Sequence, residues 1–357
     1  MIRSTAAALC TPYKTTLSES HLAIAEMGGQ MKRREFITLL GGMAFVPLAA
    51  RAAQSTQVRH IGALMNIAEN DPEARVWAAA FEQGMEKQGW KPGHDLQIEY
   101  RWANSESLYR RFAQELIRLD PDVILAVSGS SASALQEATS PVPVVFIATS
   151  DPVARRLIAS MEKPGGNFTG YVEFESNIGS KWVRLLKQIA PNVTRVAVVQ
   201  DPMRSTWRNV LTDIEEAAPS LNIEVSPVDA RDGVELERLL TKFAGSPNGG
   251  LIVTPNLFSA ISRERIVTLA ARHKLPAVYF SRHFVTDGGL ISYAPDRIDQ
   301  YHRAAGYIDR ILKGEKPADM PVQTPTKFEI VANLRTAQMI GLTMPAQVVA
   351  AADHVIR

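Results

Sequence analysis

Short β-branched runs alternating with longer helical stretches constrain this chain more than any other feature. The strand candidates are "VRHIGALM" from Val58, "DLQIEYRW" from Asp95, "DVILAV" from Asp122, "VPVVFIA" from Val142, "TRVAVVQ" from Thr194, "NIEVSPV" from Asn222, "GGLIVT" from Gly249 and "LPAVYF" from Leu275. Helical spacing fills the intervals near 72–88, 106–118, 131–138, 178–190, 205–218, 233–244, 259–273 and 297–313. A strand that is followed each time by a helix pairs parallel to its neighbours, with helices covering both sheet faces. The expected fold class is therefore α/β, with doubly wound parallel sheets.

The pattern runs twice, over 58–167 and 168–290, in similar length and order, which predicts two lobes. "KPGGNFTGY" separates the two blocks, and its Pro164, Gly165 and Gly166 break the pattern. Gly288 and Gly289, before "LISYAPD", are a second breaker where the chain can cross back. Such breakers suit hinge crossings and ordinary surface turns alike. In open sheets of this kind ligands sit beyond the carboxyl ends of the strands, so two lobes place the natural site in the cleft between them.

Ahead of the first strand, "MKRREFITLLGGMAFVPLAARAAQ" begins at Met31. Lys32, Arg33 and Arg34 precede an uncharged run, and Ala50-Arg51-Ala52 offers small residues for cleavage, the layout of an export signal. The run is too short and too interrupted for a bilayer-spanning helix, which needs about 20 apolar residues. Paired arginines before Glu35-Phe36-Ile37 also fit a twin-arginine signal, with general secretion as the alternative. The expectation is a doubtful extension over 1–30, a signal peptide over 31–52 cleaved near Ala52, a periplasmic product, and no stable membrane insertion after cleavage.

Cleavage changes the charge balance. The whole chain has 39 Lys+Arg, 37 Asp+Glu and one cysteine. Residues 1–52 hold six of the bases, three of the acids and Cys10, which leaves 33 bases, 34 acids and no cysteine. A near-neutral body without a basic cluster argues against nucleic acid as a partner. It also lacks disulfides and thiolate metal sites.

Several turns have chemistry in reach. In "DVILAVSGSSASALQEA" a strand ends at Val127, and Ser128, Gly129, Ser130 and Ser131 open a helix. Free N–H groups, a positive dipole end and hydroxyls suit a carboxylate or phosphate, although serine caps helices routinely without a ligand. "ATSDPVA" brings Thr149, Ser150 and Asp151 to the same end of the sheet, where Asp151 can pair with an ammonium group or cap the next turn. In the second block Thr254, Asn256 and Phe258 follow one strand, and Tyr279 and Ser281 the next. Polar donors beside rings suit an amphiphilic small ligand, and the rings suit a core equally well.

Enzyme and cofactor motifs are missing together. The chain has no HExxH, no GxSxG elbow, no GxGxxG and no GxxxxGK[ST], and its seven histidines lack ligand spacing. The expectation is neither a cofactor nor catalysis.

The stretches "IGALMNIAENDPEA", "IEYRWA", "DPVARRLIASMEKPGGNFTGY", "RLLKQIAPNVTRVAVV", "LPAVYFSRHFVTDGGLISYAPD" and "AAGYIDRILKGEKPADMPVQTPTKFEIVANLRTAQMIGLTMP" span about 58–345. Together they resemble the extracytoplasmic substrate-binding proteins of ABC transporters, in the group with tryptophan- and tyrosine-binding members. The resemblance implies the type I periplasmic binding fold, with two lobes, three crossings and a hinge that closes on ligand. Lobe 1 would be 58–167 plus about 291–325, and lobe 2 would be 168–290 plus about 326–357. It implies a small organic solute, such as an amino acid, as ligand and a membrane permease as partner. A sensor presenting the same fold to a membrane histidine kinase is the alternative, and an enzyme a lesser one. The candidate ligand-binding residues are Asn66, Ser128, Ser130, Ser131, Thr149, Asp151, Asp201, Asn256 and Tyr279. Of these, the resemblance implies that the serine turn would hold the ligand's carboxylate and Asp151 its ammonium group. Asp201-Pro202 stands where many members have asparagine before proline, which leaves the ligand's identity open.

Overall fold

The computed structural model describes residues 58–200, 208–255 and 257–357. The predicted export signal, Asp201 and Asn256 lie outside the described residues. The region from Gln57 to Arg357 forms one compact unit, and within it the strands gather into two sheets.

The first sheet contains β1 (Arg59–Met65), β2 (Leu96–Trp102), β3 (Val123–Val127), β4 (Val144–Thr149) and β5 (Phe168–Val172). Their order is β2-β1-β3-β4-β5, all parallel. Helices α1 (Pro72–Lys87), α2 (Glu106–Arg118) and α3 (Gly129–Glu137) make its crossovers. β3 and β4 are buried at every position, as strands covered on both faces must be.

The second sheet contains β6 (Arg195–Gln200), β7 (Glu224–Asp229), β8 (Gly249–Val253), β9 (Ala277–Tyr279), β10 (Ile291–Pro295), β11 (Phe328–Asn333) and β12 (His354–Ile356). Its order is β12-β11-β10-β9-β8-β6-β7, so strands six to ten repeat the order of strands one to five. Helices α4 (Ile178–Ile189), α5 (Arg208–Ala217), α6 (Gly233–Ala244), α7 (Leu257–Ile261), α8 (Arg263–Arg272) and α9 (Arg282–Thr286) connect the first five strands. The expected single helix over 259–273 is thus two. On α4 the apolar residues Ile178, Trp182, Leu185, Leu186 and Ile189 recur at helical spacing and face the core. β11 runs antiparallel to β10, because it re-enters the lobe from the hinge side.

Helix α10 (Arg297–Leu312) leaves the second sheet and packs against α1. The two helices approach closely at Gly84, where a β-carbon would lie 2.8 Å from that of Ala305. The rest of the chain is α11 (Leu334–Met339) and α12 (Ala346–Ala351) in the second lobe.

Two sequence boundaries move. "FTGYV" was expected in the second lobe, yet it is β5, the edge of the first sheet, so that lobe runs on to Val172. Gly170, at φ +145°, lets the strand lie so close to β4 that a β-carbon would fall 1.9 Å from the Phe146 carbonyl oxygen. The Gly165-Gly166 turn is a return inside lobe 1, tied by a hydrogen bond from the Gly165 N–H to the Ala318 carbonyl. Likewise Gly288 and Gly289 end α9, and the chain crosses back only after β10 has joined the second sheet.

Three crossings result, at 173–177, at Pro295-Asp296 and at 324–327. They are tied together. The Asp296 N–H donates to the Lys327 carbonyl, and the Lys327 ammonium lies 2.6 Å from the Asp296 carboxylate. Tyr293 and Phe328 stack at 5.1 Å, with the Lys181 ammonium over both rings and 2.5 Å from Glu175 of the first crossing.

Gly170→Ala is expected to cost about 3 kcal/mol or more in urea denaturation, because it adds both steric overlap and backbone strain. Gly166→Ala meets nothing within 4 Å and is expected to stay within about 0.5 kcal/mol of wild type.

Candidate functional site

In both sheets the strand order reverses once, between β1 and β3 and between β6 and β8. A crossover leaves each side of such a point in opposite directions and opens a crevice at the carboxyl edge. Asn66 and Ser128 stand at this edge in the first lobe. Thr254 stands at the corresponding edge of the second.

The two carboxyl edges face each other. The Trp77 ring on α1 lies 6.4 Å from the His283 ring on α9. Burial holds His283 below its ordinary pKa. The Glu73 and Asp71 carboxylates at the start of α1 oppose that shift, and Arg263 and Arg297 reinforce it. Groups of both lobes therefore share one electrostatic environment.

At the serine turn the backbone is strained. Ser128 has φ +98°, and Ala148 near the end of β4 and Asp151 just after it have φ +52° and +43°. Positive φ at non-glycine residues persists where surrounding structure enforces it, often at binding sites. The Ser128 hydroxyl accepts from the Ser131 N–H at 3.3 Å and so caps α3. The Ser131 hydroxyl is buried and donates to the Val127 carbonyl at 2.6 Å. Ser130 lies 3.5 Å from the Glu106 carboxylate. Tyr109 is pushed up to about 12 by burial, with a hydrogen bond to Ser128 opposing the shift and Glu106 adding to it. The first N–H groups of α3, at Gly129 and Ser130, have no acceptor inside the helix.

Arg155, from the turn after β4, supplies the positive charge that the sequence reading missed. Its guanidinium lies across Gly129, where a β-carbon would sit 2.7 Å from the guanidinium carbon. Its Nε donates to the Ser150 carbonyl at 2.9 Å, and one terminal nitrogen lies 3.5 Å from the Ser133 hydroxyl. A side chain at position 129 would displace the guanidinium from this place. The helix end and the guanidinium together form a positive corner suited to an anionic group.

Glu173, immediately after β5, is the second residue the sequence reading missed. Its N–H donates to the Thr149 carbonyl, which anchors it to the β4 turn. Its side chain is only 16% exposed, and the Arg297 guanidinium lies 3.9 Å away. Burial pushes its carboxyl up to about 7, with Arg297 and Arg155 drawing it down. Arg297 also lies 5.8 Å over the Trp77 ring. Recognition of "FTGYV" as a strand would have placed Glu173 at a carboxyl edge.

The remaining expected residues divide. Asn66 follows β1 and has a buried side-chain oxygen without a hydrogen-bond donor. Asp151 accepts from the Ala154 N–H at 3.0 Å, capping the turn. Thr149 is buried, and its hydroxyl donates to the Ile147 carbonyl at 3.3 Å. Tyr279 is 1% exposed and stacks on Phe284 at 4.9 Å, so its ring belongs to the second lobe's core. The structure does not bring it to the cleft surface.

A cavity of about 300 Å³ lies elsewhere, at the amino edge of the second sheet, between Pro191, Asn248, His273 and Pro276. It is remote from the carboxyl edges and gathers none of the groups above. Among the described residues, no group of three or more His, Cys, Asp or Glu is placed to hold a metal, and no helix is long and apolar enough to cross a membrane.

Comparison with known proteins gives consistent results. Residues 66–356 match the model of the family "ABC transporter substrate binding protein". A tyrosine-binding protein of Clostridioides difficile (strain R20291) is 26% identical over 264 residues, 73% of this chain and 75% of that one. The fold is shared with the ABC domain in complex with L-Trp from Streptococcus pneumonia, at TM-score 0.74 and 24% identity, covering 84% of this chain and 99% of that one. It is also shared with a ligand-free, open substrate binding protein with adhesive properties from Clostridium difficile, at TM-score 0.69, 24% identity and the same coverage.

The Glu173 carboxyl gives a pH signature. With a native value near 7 against an ordinary 4.5, the unfolded chain ionises this group first as pH rises. The native state then holds the extra proton, so its contribution to stability falls between about pH 4.5 and 7 and levels off above. Denaturant midpoints at pH 5 and pH 8 should show a smaller drop for Glu173→Gln than for wild type. Identical drops would contradict this assignment.

Proposed function

Because the chain belongs to the ABC transporter substrate binding protein family, we propose that it captures a small amino acid with an aromatic side chain between its lobes and delivers it to a membrane permease. One observation carries the reading. The positive corner of Arg155 and the α3 amino end stands beside the Glu173 carboxylate, at the edge where the two lobes meet. An α-amino acid presents opposite charges on one carbon and needs adjacent groups of both signs. Trp77 and His283 add rings on opposite sides of the cleft for an aromatic side chain. The relatives named for tyrosine and crystallised with L-Trp support the same solute class.

Capture needs no covalent step. A solute touching both lobes binds the closed arrangement better than the open one and shifts that equilibrium by its differential affinity. The three crossings are the hinge, and the pins between them couple their movement. The export signal read over 31–52 and the family fit a periplasmic receptor.

L-Tryptophan or L-tyrosine is expected to raise the melting temperature, by about 2.7 kcal/mol of added stability at one hundred times Kd. Arg155→Ala should weaken binding ten- to a hundredfold, the scale of a hydrogen bond to a charged group, about 1.5–3 kcal/mol. Absence of a shift with every L-amino acid tested would remove the reading.

A further inference from the structure

Glu173 carries more than the paired-charge reading has used. Among the described residues its carboxylate receives no hydrogen bond. The nearest cation, Arg297, stands at 3.9 Å, and another nitrogen of that guanidinium donates to the Gln300 side-chain oxygen at 3.1 Å. Arg155 is turned towards Ser150 and the serine turn. A carboxylate offers about four acceptor positions, and leaving them empty in a poorly solvated place is costly. Among the described residues, the buried Asp309 carboxylate is satisfied. Asp309 accepts from the Trp90 indole N–H at 2.9 Å and pairs with Lys313 at 2.8 Å. The contrast singles out Glu173 as an acceptor whose donors come from outside the chain.

The donor it fits is an ammonium group. Three N–H donors on one charged nitrogen fill several acceptor positions together and offset the ionisation that burial opposes. A hydroxyl brings one donor and no charge. Asp151, the sequence candidate for this role, already caps its own turn through the Ala154 N–H. Adjacent strands lie about 4.8 Å apart, so the ends of β3 and β5 stand roughly 10 Å apart with the end of β4 between them. That gap takes an amino-acid head group with its carboxylate towards Arg155 and its nitrogen towards Glu173.

We infer that Glu173, and not Asp151, receives the solute's ammonium group and sets a preference for α-amino acids over their deamino analogues. The inference rests on the aromatic amino-acid reading. Isothermal titration of the folded protein with L-tryptophan and with indole-3-propionate, which keeps the carboxylate and ring but lacks the nitrogen, tests it. Glu173→Gln should weaken L-tryptophan ten- to a hundredfold and leave indole-3-propionate within about twofold. The preference for L-tryptophan should fall at least fivefold. Equal weakening of both ligands, or loss of the preference in Asp151→Asn instead, would overturn the assignment of Glu173 alone. Failure of wild type to bind either L-tryptophan or L-tyrosine would overturn the underlying reading, and the inference with it.

Discussion

Parallel strand pairing is the constraint on which the rest of this molecule depends. A parallel neighbour must be entered from the same end, so β1 to β5 and β6 to β10 are each joined by crossovers and their carboxyl ends line one edge of each sheet. In each lobe the crossovers diverge at a single point, and in the first lobe the strained backbone of Ser128, Ala148 and Asp151 lies at that edge. The buried strands could not hold a solute, because both of their faces are covered. Function is thus confined to two edges before any side chain is chosen, and the three crossings determine that these edges meet.

The side chains at the first lobe's edge then divide the charge. Gly129 lets the Arg155 guanidinium lie on the amino end of α3, and the Thr149 carbonyl anchors Glu173 beside it. The Lys327 ammonium that pairs with Asp296 is 64% exposed, so solvent screens that pair and it holds its charges at little cost. The Glu173 carboxyl, in contrast, costs stability in its charged form. In the proposed function, that cost to the empty protein is offset when a zwitterion binds, which favours selective capture.

Much of the fold was legible in the sequence because strand burial leaves long β-branched runs, as in "DVILAV" and "TRVAVVQ". The lobe boundary was not. "FTGYV" has a glycine at its centre and lies beside a Pro-Gly-Gly turn, so local composition marks it as a linker. Only its contact with Phe146, distant in sequence, makes it a strand. The site was half legible. Serines after a strand announce a helix start, but Arg155 sits in a run of turn residues without periodicity. Tyr279 misled for the opposite reason, since a ring at a strand end packs inwards or outwards with no sequence difference, and here it stacks on Phe284.

The central claim is that solute draws the two edges together, and an interlobe distance tests it most directly. After removal of residues 1–52 the chain is free of cysteine. Val76→Cys and Ile261→Cys then provide unique labels, because these positions are 49% and 75% exposed, one on α1 and one at the end of α7. Spin-label distances should shorten and narrow when L-tryptophan or L-tyrosine saturates the protein. Saturation without any change in the distance distribution would contradict closure as the means of capture.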